Sequence, residues 1–137
     1  MQGHQIVARY LDGTIKKGVS LDVDPKRPTC HLKTETGGTI EIALKDMKAL
    51  FFVKSATGDP KHNEARDPVP GDSRLVGTKL VRVIFSDKEE IVGLTNRYPP
   101  ITPFFFMLPI DLKSNNIRIL VNRAAVKEIK EIKEVKE

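Results

Sequence analysis

The sequence predicts a mostly all-β chain built as two tandem small five-stranded barrels. Three observations carry that expectation. An ordered set of similar segments recurs about 75 positions apart. Short runs alternate apolar and polar residues and stop at Gly, Pro, Asp or Asn. A stretch poor in large apolar side chains separates the halves.

The elements follow in order. Residues 5–11 alternate toward Asp12-Gly13, a hairpin signal between apolar flanks. A second strand covers 14–22 and is broken by Asp24-Pro25-Lys26-Arg27-Pro28. Strands at 29–34 and 39–44 flank Thr36-Gly37-Gly38, and the apolar run Leu50-Phe51-Phe52-Val53 reads as a buried strand. The second half gives strands near 80–86, 90–97, 104–108, 117–122 and 125–130.

The halves match in detail. Ile6, Ala8 and Tyr10 correspond to Val81, Val83 and Phe85, and Asp12 and Gly18 to Asp87 and Gly93. Ile40-Glu41-Ile42 matches Ile117-Arg118-Ile119, and Met47-Lys48-Ala49-Leu50 matches Val126-Lys127-Glu128-Ile129. The offset drifts from 75 through 77 to 79, which calls for two small insertions. The expected organisation is a β module at 1–56, an exposed linker at 57–77, and a β module at 78–137 with a charged tail. From Val126 onward the period of three suits a strand continuing as a short helix or frayed tail. Barrels this small are marginal alone, so the modules are expected to pack together or self-associate, with the edge beyond Ile129 supplying partner surface.

Composition narrows the function classes. No apolar run approaches the roughly 20 residues of a membrane helix, so no membrane partner is expected. The N-terminus lacks a secretory pattern and Cys30 is the single cysteine, which together suit a cytoplasmic protein. The net charge of +5 divides as +3 over residues 1–58, −1 over 59–78 and +3 over 79–137, the even spread of an ordinary solvated surface. His4, His31 and His62 are scattered, with no spacing that converges metal ligands. No phosphate loop, dinucleotide fingerprint or nucleophile elbow occurs. The expectation is a non-enzyme with no cofactor and no metal.

Candidate binding residues lie in the proline-rich breaks. Arg97-Tyr98-Pro99-Pro100 offers a cation and a ring on a stiffened chain, and the equivalent break in the first half supplies Lys26 and Arg27. In the strand at 104–108, Phe104, Phe106 and Leu108 point one way and Phe105 and Met107 the other. A central strand covered on both faces explains this pattern. The alternative exposes Phe105 or Tyr98 beside Arg97 and Arg82 as an aromatic and basic surface for unstacked bases or a protein partner.

Val81-Arg82-Val83, Ser86-Asp87-Lys88, Ile91-Val92-Gly93 and the run from Ile119 to Val126 together resemble the Sm-like (Hfq-like) family of bent five-stranded barrels. The resemblance covers about 50 residues, with a weaker version at 6–53. It implies single-stranded RNA binding through an aromatic or apolar stacking residue and an Asn in one loop, where this chain has Tyr98-Pro99-Pro100-Ile101-Thr102-Pro103 instead, and a basic residue in the other, here Arg123. The whole chain also resembles an uncharacterised bacterial domain family through Phe105-Phe106-Met107-Leu108-Pro109-Ile110-Asp111-Leu112-Lys113-Ser114-Asn115-Asn116. Two functions are therefore expected: a protein-interaction module first, and a single-stranded RNA binder as the alternative. In the latter Tyr98 would stack bases while Arg97, Lys26, Arg27 and Arg123 steer phosphates.

Overall fold

Asp12-Gly13 and Asp87-Lys88 close the two leading hairpins in the computed structural model, which describes residues 3–55, 57–58 and 61–132. The first hairpin joins β1 (His4–Tyr10) to β2 (Ile15–Ser20), and β3 (Thr29–Lys33), β4 (Thr39–Ala43) and β5 (Met47–Val53) follow. The second joins β6 (Lys79–Phe85) to β7 (Glu90–Thr95), followed by β8 (Phe104–Pro109), β9 (Asn116–Asn122) and β10 (Val126–Glu131). Short 3-10 turns at Leu44–Asp46 and Arg123–Ala125 lead into β5 and β10. Among the described residues there is no α-helix, and no helix long and apolar enough to cross a membrane. The start of the terminal tail is strand through Glu131, and the expected helix or frayed end at 133–137 lies outside the described residues.

Several backbone hydrogen bonds fall at corresponding places in the two halves. Gly13 N–H donates to the Tyr10 carbonyl as Lys88 N–H does to Phe85, and Leu44 N–H donates to Pro28 as Arg123 N–H does to Pro103. Asp12 accepts from Thr14 N–H at the first hairpin, and Asp87 accepts from Glu89 N–H at the second. Gly18 and Gly93 share one reason: a Cβ on either would lie 2.3 Å from a carbonyl oxygen of the crossing strand, Lys33 or Leu108. Register corrects one sequence match. Leu32 pairs Ile40 and Met107 pairs Ile119, so Ile40 corresponds to Ile119, not Ile117. The offset therefore steps once, from 75 to 79, through four extra residues in the β8–β9 connection.

The strands form one open antiparallel sheet in the order β10-β6-β7-β8-β9-β5-β1-β2-β3-β4, where two tandem five-stranded barrels packed together were expected. The reason lies in β5, buried at every position, which pairs with β1 on one side and β9 on the other. Alternation then splits its side chains. Ala49, Phe51 and Val53 enter a core with Val83, Phe85, Met107 and Ile119 of the second half. Leu50 and Phe52 enter a core with Ile6, Leu32 and Ile42 of the first half, joined there by Leu120 from β9. Each half completes the other's interior.

Polar contacts reinforce this junction. Lys48, 7% exposed, places its ammonium on Asp87 Oδ2 at 2.7 Å and on Glu89, with the Phe85 ring beneath it at 4.7 Å. Lys48 is the buried side of this contact and the two carboxylates are exposed, so removing them leaves its ammonium uncompensated. The 57–77 stretch is mostly exposed along its described residues and is also fastened to the sheet. Arg74 pairs with Asp72 and donates to the carbonyls of Pro109 and Ile110. Just before this stretch, Asn115 accepts from Ser55 N–H and donates to the Ser55 carbonyl.

Candidate functional site

The two proline-rich breaks occupy equivalent places in the halves, and the sheet brings them to one groove of about 870 Å³. Pro25, Pro28, Pro100 and Pro103 form its walls and Phe104, Phe105 and Phe106 its floor. Pro28 and Pro103 each enter a strand while their carbonyls accept from the 3-10 turns, so both walls are fixed to the sheet. Phe106 is held from behind. Its ring meets Phe52 edge-on at 5.9 Å, and the Arg118 guanidinium lies 4.3 Å from Phe52 and 4.5 Å from Phe106. At the rim Ile101 is 69% exposed, an apolar side chain left in water.

Lys26, Arg27 and Arg97 line the groove and are exposed. Arg27 lies 3.7 Å from Asp24, whereas Lys26 and Arg97 have no carboxylate partner among the described residues. The groove therefore joins an apolar floor to a cationic rim, with walls whose proline backbone is already ordered.

Of the residues singled out from the sequence, Lys26, Arg27, Arg97 and Phe105 meet here. Phe105 is buried, and it serves as floor and core rather than as an exposed platform. Tyr98 and Arg123 do not meet them. They line a separate cavity of about 170 Å³ against β10. The Tyr98 ring packs on the second-half core and its hydroxyl donates to the Ile129 carbonyl at 3.1 Å, so it is not a free stacking surface. Sequence reasoning missed Ile101 and Phe104, although the paired proline breaks marked their surroundings.

Two other groups bear on chemistry. His62, Glu64 and Asp111 bring metal-type donor atoms within 4.8 Å of one another, which no sequence spacing announced. Asp111 Oδ2 takes the Ala65 N–H at 2.8 Å and faces His62 Nε2 at 2.7 Å, while Oδ1 takes the Lys113 N–H. Burial pushes the Asp111 carboxyl up, but these donors outweigh it and hold it below the usual range. The group staples the linker to the enlarged β8–β9 connection. Cys30 is buried, and its thiol is pushed up to about 11, chiefly by burial and then by the charge of Asp22. Such a thiol is a poor nucleophile.

No curated protein matches this chain, and no solved structure does. A family model does match, over residues 2–133, a span that contains all ten strands and both walls of the groove. The chain thus belongs to that family, described only as a family of unknown function (DUF6982).

Proposed function

We propose that the chain is a non-catalytic protein-interaction module, a tandem repeat of two Sm-like five-strand units whose junction groove receives a partner. The occupant is an extended segment of another protein that carries apolar side chains beside acidic ones. The observation behind this reading is the groove itself: an apolar floor and the exposed Ile101, ringed by Lys26, Arg27 and Arg97. Apolar contact supplies affinity there, and the cations supply register and on-rate. The ordered proline walls reduce what binding costs in entropy.

The single-stranded RNA reading keeps the three cations, and Phe104 and Phe106 are half-buried rings at hand. It loses its named stacking residue, because Tyr98 is bonded into the β10 side. The protein reading is therefore preferred.

The test compares captures from native lysate by the intact chain and by Ile101→Asp and Lys26→Glu/Arg97→Glu variants, each with nuclease. A protein retained after nuclease treatment, lost at least ten-fold with both variants, and held with weak salt dependence is the expected result. Binding of a labelled single-stranded RNA oligonucleotide that the charge reversal abolishes and that falls steeply with salt would overturn it in favour of RNA. Capture indifferent to both variants would remove the groove from consideration.

A further inference from the structure

The sheet ends in β4 on one side and β10 on the other. By register, β4 is to the first half what β9 is to the second, and β10 is to the second half what β5 is to the first. The interior pairing of β5 with β9, Leu50 on Leu120 and Phe52 on Arg118, is therefore a template for pairing the two free edges.

The backbone directions agree with that template. Antiparallel hydrogen bonds alternate from side to side along a strand. The bonds Thr34 N–H to Gly38 and Leu44 N–H to Pro28 turn residues 40 and 42 toward β3. Thr39, Glu41 and Ala43 are left with N–H and C=O facing outward. The bond from Ile132 N–H to the Leu80 carbonyl turns residues 128 and 130 toward β6, leaving Ile129 and Glu131 facing outward. Placed in the interior register, β10 of one copy meets β4 of another with Ile129 on Glu41 and Glu131 on Thr39.

One side chain stands in the way. Tyr98 donates its hydroxyl to the Ile129 carbonyl, the acceptor that in the first half, at Leu50, faces β9. The equivalent of Tyr98 in the first half is Val23, which has no hydroxyl and packs on the first core. Lys127, Glu128 and Lys130, all exposed on β10, also disfavour edge pairing.

We propose that Tyr98 is a gate on a self-docking edge. With its hydroxyl in place β10 is capped, and when the hydroxyl leaves Ile129 a second copy of this chain docks head to tail, β10 on β4.

Sedimentation velocity over a concentration series tests this on the intact chain, comparing wild type, Tyr98→Phe, and Tyr98→Phe combined with Glu41→Pro. Phe keeps the ring packing and removes the competing bond. Pro at 41 removes an outward N–H, which an edge strand tolerates. Association of Tyr98→Phe at a concentration about five- to ten-fold below that of wild type, and its loss with Glu41→Pro at unchanged melting temperature, is the expected result. No difference between Tyr98→Phe and wild type overturns the proposal, as does association that Glu41→Pro leaves intact. Should Tyr98→Phe fail to fold, wild type with and without Glu41→Pro at the highest attainable concentration decides. Association removed by the proline supports the edge, and its persistence or complete absence rejects it.

Discussion

His31 and Asp22 connect single residues to a measurable property. Asp22 Oδ1 accepts the His31 N–H at 2.8 Å and its Oδ2 faces His31 Nδ1 at 2.6 Å, tying β3 to the turn after β2. The hydrogen bond from Asp22 raises the imidazole above its ordinary value, and the same bond lowers the carboxyl of Asp22. A raised histidine stabilises the fold fully below about pH 6.5, and the contribution disappears as pH climbs through the folded value. A lowered aspartate stabilises above about pH 4, and that is lost as pH falls through its folded value. Between those limits both terms are present. His31→Gln is therefore expected to lower the melting temperature at pH 5 and to have less effect at pH 8.5, measured by circular dichroism melts; equal losses at both would refute the assignment. The effect is small because both side chains are largely in water. None of this was legible from the sequence, where His31 is one scattered histidine. A partner nine residues away across a proline-broken loop follows no local rule. Gly18 and Gly93 stood out in the sequence as matched positions of the two halves, and the close backbone approach that requires them is what the structure adds.

At the scale of the element, β7 and β8 depend on that close approach. A methyl group at residue 93 would sit 2.3 Å from the Leu108 carbonyl oxygen and 2.7 Å from Met107 Cε. The methionine end can move, but the backbone oxygen is held by the strand. Gly93→Ala is expected to destabilise the chain by about 1–3 kcal/mol, measured by denaturant titration, despite the better intrinsic fit of alanine in a strand. A loss within experimental error of zero would mean that β8 can shift. Strand positions were read well from the sequence, because alternation and turn residues are local. The β9 alignment was not. Ile117-Arg118-Ile119 copies the look of Ile40-Glu41-Ile42, yet the partner of Met107 shows that Ile119 takes the place of Ile40. Pattern alone places an insertion wherever similarity resumes, whereas register counts hydrogen bonds. The added residues include Asp111, which staples the linker, so the irregularity in the repeat has its own work to do.

For the whole molecule, the sharing of β5 and β9 between two cores decides how it unfolds. Phe51 and Phe52 are adjacent in the chain and buried in different halves, and Leu120 returns the exchange from β9. Neither half closes its core alone. Calorimetry is expected to give one transition with equal calorimetric and van't Hoff enthalpies, and two resolved transitions would count against the shared interior. The sequence announced two modules because their elements repeat. It could not announce the pairing across them, because an apolar run such as 50–53 is buried against whatever neighbour arrives. That neighbour comes from the same chain, and this bears on dilution. A contact between separate molecules weakens as they are diluted, whereas β5 and β9 are joined by the 54–115 stretch of one chain and meet at a fixed effective concentration. Lengthening the segment before β6 would alter that concentration only slowly, by about 0.6 kcal/mol for each doubling of a flexible loop. The groove at this junction is consequently assembled as fully in one isolated copy as in a crowd of them.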